Sequence, residues 1–176
     1  MEAVTEVLRS VFASMMLIVS NPGDIDILSY NANIVECLAQ NIYFESRNQD
    51  FEGKIAVGYV TLHRVNHKNY PNTVCDVVYE GPKYISWKGN EVPVRWDCQF
   101  TWYCDGKADT ILLNTGPDKR AWEDSIKAAI LVLLEEVEDP TGGATHYHNP
   151  RLSSPKWPYP ITASIGEHLF QRLPHN

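Results

Sequence analysis

The chain has 176 residues, 44% hydrophobic and 11% aromatic, with 15 Lys and Arg against 22 Asp and Glu for a formal charge of −7. That is ample apolar material for the core of one domain and excludes a disordered chain. The acidic balance excludes a phosphate-backbone binder, so no nucleic acid is expected as a partner, and leaves no basic module to hold an anionic surface.

In chain order, Val4, Val7, Leu8, Val11, Phe12, Met15 and Met16 recur at helical spacing and predict a packed amphipathic helix. It forms an N-terminal helical arm, residues 1–29, on a main domain of residues 30–176. The apolar run Val11–Val19 is too short for a stable membrane span. It also lacks the basic flank and small-residue cleavage site of a signal peptide, because Glu2 and Glu6 precede a single Arg9. A signal or anchor role for residues 7–20 is the rival reading. Asn21-Pro-Gly-Asp24 predicts a turn that ends the first helix.

A helix follows over residues 33–47. At about 100° per residue, Ile34, Leu38 and Ile42 share a face, and Glu45 projects close to it. A carboxylate there must be paired, protonated or facing a cleft. The cleft reading makes Glu45 a general-acid candidate; the alternative is a buried ion pair or a helix cap. Phe51 to Val65 predicts another helix, with Ile55, Tyr59, Leu62 and Val65 inward and Gly58 marking close approach of a neighbouring backbone. Val74–Tyr79 is a short β-prone run. Val92–Trp96 and Gln99–Tyr103 are rich in aromatic and β-branched residues, with Asp105-Gly106 as a turn, so residues 70–115 predict loops and a small irregular antiparallel β element. A third helix is expected from Ala121 to about Glu138, before Pro140, with Trp122, Ile126, Ala129, Ile130, Leu133, Leu134 and Val137 on one broad face. Residues 139–160 carry too many turn formers for a helix, and a short helix is expected near Ile165. The fold class read from this order is α+β, mainly α.

Cys37, Cys75, Cys98 and Cys104 form no C-x-x-C pair, which argues against a zinc ribbon. Cys37 reads as a buried small hydrophobe, and Cys98 and Cys104 are close enough to pair across a turn. His146 and His148 would point the same way on an extended chain and could share an ion with His63, His67 or Asp139. No H-E-x-x-H, G-x-S-x-G or Walker loop is present.

Several blocks taken together reach further. Leu38-Ala39-x-x-Ile42-Tyr43-Phe44-Glu45-Ser46-Arg47, Gly53–Val60, Arg64-Val65 and Tyr70–Tyr79 come in order. They are followed by Gln99-Phe100, Asp139–Ala144, Tyr147-x-Asn149-Pro150, Trp157 and Ile165-Gly166-x-His168-x-Phe170. This series resembles the SleB/CwlJ-type cell wall hydrolases over roughly residues 33–172. The resemblance implies a peptidoglycan-cleaving enzyme with a compact, lysozyme-like or lytic-transglycosylase-like helical domain, Glu45 as its catalytic acid, and no cofactor or metal. Relatives often carry Gly-Glu after the Glu-Ala-Arg block where this chain has Asn48-Gln49, so a second acid would have to be Asp50 or Glu52. Gln99, Phe100 and Trp102 would line a sugar-binding wall or simply pack the core, and Tyr147 and Asn149 would be further substrate-binding residues.

A single cleft glutamate favours lytic transglycosylation of the MurNAc-GlcNAc bond to 1,6-anhydro products. Muramidase-type hydrolysis, a metal-dependent amidase or peptidase using His146 and His148, and an inactive wall-binding module are the alternatives. The expected partner is the peptidoglycan glycan strand, met by a monomer made in the cytoplasm that reaches the periplasmic wall after release, as a phage lysin does.

Overall fold

A computed structural model describes residues 23–111, 113 and 115–174, with side chains of the first helix from residue 32 onward. The expected amphipathic helix over residues 4–16 lies outside the described residues. The secondary structure is four α-helices, one 3-10 turn and five short strands among those residues. No described helix is long and apolar enough to cross a membrane.

Helix α1 (Gly23–Ser46) runs without a break through positions 29 and 30, where the arm and the main domain were expected to meet. Its inner face presents Val35, Leu38, Ala39 and Ile42, all buried, against α2 (Phe51–Val65). Asp50 starts α2: its carboxylate accepts from the Gly53 amide at 2.8 Å, satisfying one of the orphan donors of the first turn. Gly58 lies where the helices meet. A Cβ there would sit 3.2 Å from Val132 Cγ2 and 3.3 Å from Ile42 Cδ1, so the glycine makes room for two side chains where the sequence anticipated a neighbouring backbone.

The β-prone run at Val74–Val78 is instead a helix, α3. Thr73 caps it by accepting from Asp76 N, and Val74, Val77 and Val78 are buried at i, i+3 and i+4. Cap chemistry and core spacing outweigh β propensity here. The same device starts α4 (Gly116–Leu133), where Thr115 accepts from Asp118 N and a proline occupies the first turn. This helix therefore begins before Ala121 and ends before Glu138; Glu135 at φ 54° closes it. Trp122, Ile126, Ala129 and Ile130 are buried as anticipated, whereas Leu134 is exposed beyond the helix.

Strands β1 (Lys83–Ile85) and β2 (Glu91–Pro93) form an antiparallel hairpin, with Tyr84 opposite Val92. Gln99–Tyr103 is not a strand: Thr101–Cys104 is the 3-10 turn. The larger sheet lies near the C-terminus, β3 (His146–His148), β4 (Ile161–Ile165) and β5 (His168–Gln171), all antiparallel in the order β3-β5-β4. The helix expected near Ile165 is thus a tight hairpin turning at Gly166, with Phe170 buried as the centre of a second small core beneath it.

All four cysteines are half-cystines. Cys37–Cys75 ties α1 to α3 across 38 residues, and Cys98–Cys104 closes the loop that carries the 3-10 turn. Cys37 is buried, as its helical neighbours implied, but it is disulfide-bonded rather than a free hydrophobe.

Candidate functional site

The last turn of α1 carries Glu45 into a groove. Two lobes meet at it, one of about 490 Å³ and one of about 650 Å³, and both are lined by Glu45, Asn149, Leu152 and His168. A carboxyl at the junction of two lobes can address a bond whose flanking groups occupy both.

Tyr147, on β3, donates its hydroxyl to Glu45 Oε2 at 2.8 Å. Sheet and helix are thereby joined by one bond spanning 102 residues of sequence. The Tyr147 ring is held between His168 at 5.2 Å and Phe170 at 5.6 Å between ring centroids. Burial raises the Glu45 carboxyl above its ordinary value; the Tyr147 hydrogen bond and the Arg64 charge pull it only partway back. Burial, followed by the nearby Glu45 charge, pushes the Tyr147 phenol well up, so it stays protonated and remains a donor.

Arg64 is the buried cation of the site. Its Nε donates to Thr145 O at 2.8 Å, and its guanidinium lies 4.7 Å from the centre of the Phe100 ring and 5.5 Å from that of Tyr70. One terminal nitrogen is buried without a hydrogen-bond partner. The sequence placed Arg64 in a family block but gave it no role, because its hydrogen-bond acceptor, Thr145 O, lies 81 residues away.

Lys54 fixes the end of α1. Its buried Nζ donates to three backbone carbonyls, Ser46 O at 2.8 Å, Arg47 O at 3.3 Å and Gln49 O at 2.8 Å. A lysine here satisfies the orphan carbonyls of the helix terminus one residue beyond Glu45. Arg47 pairs with Asp118 in the first turn of α4 at 3.4 Å, and its guanidinium lies 5.9 Å from the ring centre of Tyr43, four residues before it.

Gln99 and Phe100 line the larger lobe and Trp102 the smaller. Phe100 is 2% and Trp102 8% exposed, so both back the groove more than they face it. Trp102 stacks on Phe44 at 4.6 Å and donates Nε1 to Asn41 at 2.9 Å; Asn41 in turn donates to Thr61 at 3.0 Å. Neither residue named as a possible second acid lines the groove: Asp50 is the α2 cap, and Glu52 is exposed in its first turn. The other carboxylates that do line it are Asp105, paired with Lys107, Glu167, paired with Arg151, and the exposed Asp109.

His146 and His148 point to one side of β3, as their spacing implied, and both contact the Trp157 ring. His146 Nδ1 meets Thr145 Oγ1 at 2.9 Å, and its Nε2 is 3.5 Å from the Tyr70 hydroxyl. Burial and then the Arg64 charge push it down to about 4, leaving it neutral at ordinary pH. His63 and Asp139, the imagined further ligands, pair with each other at 2.9 Å. Among the described residues no three His, Cys, Asp or Glu side chains converge as a metal set.

Comparison with known proteins places this geometry. The family model described as cell wall hydrolase matches residues 48–171, a stretch that begins just after Glu45. The spore cortex-lytic enzyme of Bacillus cereus is 32% identical over 143 residues, covering 80% of this chain and 45% of that protein. That of Halalkalibacterium halodurans is 31% identical, covering 80% of this chain and 35% of that protein. The chain therefore spans less than half the length of these curated relatives. The catalytic domain of the Bacillus cereus SleB protein is similar in structure, with a TM-score of 0.53 and 30% identity, over 80% of this chain and 90% of that one. The catalytic domain of the germination-specific lytic transglycosylase SleB from Bacillus anthracis matches equally well, over 94% of its length. The mainly helical domain with a small antiparallel sheet is thus the fold of those catalytic domains.

Proposed function

The chain belongs to the cell wall hydrolase family, and from that premise we propose that it cleaves peptidoglycan glycan strands at the MurNAc-GlcNAc bond as a lytic transglycosylase, with Glu45 as its single acid and base. The observation that carries this is the placement of Glu45: a carboxyl raised above its ordinary value by burial, at the meeting point of two groove lobes, with one oxygen held by Tyr147.

With Oε2 accepting from Tyr147, Oε1 is the oxygen that bears the transferable proton. It passes to the bridging glycosidic oxygen as the bond from the muramyl anomeric carbon breaks and positive charge spreads over that carbon and the ring oxygen. Glu45, now a carboxylate stabilised by the Tyr147 hydrogen bond and the Arg64 charge, takes the proton of the muramyl 6-hydroxyl. That oxygen then closes on the anomeric carbon. The strand ends as a 1,6-anhydro sugar, no water is consumed, and Glu45 is protonated again. One carboxyl suffices, which fits a groove where Asp105 and Glu167 are in ion pairs, Asp50 caps a helix and the remaining lining carboxyl, Asp109, is exposed on the wall of the smaller lobe alone.

Mass spectrometry of digested sacculi tests this directly. Anhydromuropeptides are expected; reducing-end muropeptides would replace the mechanism with hydrolysis, and free stem peptides would replace the bond. Activity is expected to survive EDTA, and its loss would move the reaction to the His146 and His148 side of the groove.

A further inference from the structure

A third cavity, of about 310 Å³, opens beside the larger lobe and shares Gln99 with it. Its walls include Glu80, Gly81, Trp96 and Cys98. Trp96 stands 59% exposed at φ 64°, a left-handed backbone conformation that a bulky side chain rarely adopts. Such strain persists only where the surroundings enforce it, and it concentrates at functional positions.

The enforcement is visible. The Trp96 amide donates to Cys104 O at 3.2 Å, and the Cys98–Cys104 bridge closes the loop two residues on. Gln99 N donates to Glu80 O at 3.1 Å, and Val94 N to Pro82 O at 2.8 Å. Gly81 presses against the bridge so closely that a Cβ would lie 2.8 Å from Cys98 Cβ. Arg95 backs the indole at 5.3 Å. Glu80 contributes a carboxylate oxygen, Oε2, that is buried without a hydrogen-bond partner. Burial raises this carboxyl, and Arg64 offsets that only in part.

We propose that this cavity is a distal sugar subsite, in which Trp96 stacks on a pyranose face while Glu80 and Gln99 accept and read hydroxyl and amide hydrogens of one further N-acetylhexosamine of the strand held at Glu45. The chemistry is that of carbohydrate recognition: one aromatic face, one carboxyl and one amide in a space of single-sugar scale. Gln99 makes it continuous with the catalytic groove. The assignment rests on the reading that the groove holds a glycan strand. Its consequence is that the enzyme distinguishes long strands from short ones.

The test is calorimetric binding of purified wall-glycan tetrasaccharide and hexasaccharide to the E45Q protein, whose cleavage step is blocked. The hexasaccharide is expected to bind about tenfold more tightly, and the additional Trp96→Ala change to abolish that gain while leaving tetrasaccharide affinity unchanged. Glu80→Gln, which keeps the shape and adds a donor, should reduce the gain severalfold. Trp96 is exposed, so folding is not at stake, and intact mass under non-reducing conditions verifies the nearby bridge. A gain that survives Trp96→Ala, or equal affinity for both lengths, overturns the subsite and leaves the catalytic reading intact. Failure of both sugars to bind overturns the glycan-groove reading and the subsite with it.

Discussion

Replacing Tyr147 by Phe removes one oxygen and leaves the ring seated between His168 and Phe170. The lost bond is a 2.8 Å donation to Glu45 Oε2. Hydrogen bonds to charged acceptors contribute about 1.5–3 kcal/mol, which corresponds to a factor of roughly 10–150 in any step that needs the carboxylate. The 6-hydroxyl attack is such a step, so kcat should fall within that range. The pH profile should move in a distinctive direction. In the wild type this hydrogen bond lowers a carboxyl that burial has raised. Without it the carboxyl rises further, the acid form needed for bond cleavage persists to higher pH, and the alkaline limb of kcat/KM shifts upward. The assay is the initial rate of anhydromuropeptide release from sacculi across the pH range, with thermal unfolding as a control. A limb that stays in place or shifts downward would refute the coupling of Tyr147 to Glu45, whatever happens to kcat.

Glu45→Gln should abolish cleavage and raise the melting temperature at neutral pH. The folded carboxyl is raised above its unfolded value, so its ionisation opposes folding once pH passes the unfolded pKa, and the amide escapes that penalty. Below that pKa the two melting curves should converge; a variant less stable at neutral pH contradicts the sign. Replacing both Cys37 and Cys75 by Ala removes a link across 38 residues and should cost about 4 kcal/mol, read as a lower denaturation midpoint. Replacing Cys98 and Cys104 by Ser should cost about 2 kcal/mol, and it should raise KM more than it lowers kcat, because that loop carries the groove wall and not the acid. Lys54→Met removes the ammonium donor of Arg47 O and Gln49 O, while Ser46 O keeps the Gln49 amide, and should destabilise the fold by about 2 kcal/mol or more, measured by urea unfolding.

Helical periodicity exposed Glu45 because an acid on an apolar stripe breaks a local rule, and functional positions are where local rules break. The same periodicity located α2 and most of α4. It failed where a short signal competed with a stronger one. Val74–Val78 has strand residues but a threonine cap and an i, i+3, i+4 core face. Ile161–Gln171 has a period-two alternation that Gly166 folds back into a hairpin. Asp50 looked available as a second acid because its cap role depends on backbone geometry three residues on. Arg64 carried no readable role, since it acts through pairings far along the chain.

The lysine at the end of α1 also determines where the gene can change length. Its three acceptors are Ser46, Arg47 and Gln49, so the contour of the turn into α2 is set by the reach of one ammonium group. An insertion there would pull at least one carbonyl out of range and turn the helix end that aims Glu45. The hairpin tip at Trp87–Asn90 stands open to solvent, and the bonds that close it run to Ser86 within the same turn. Natural length variation, peptide tags and fusion points should therefore be tolerated at the hairpin and rejected at the turn.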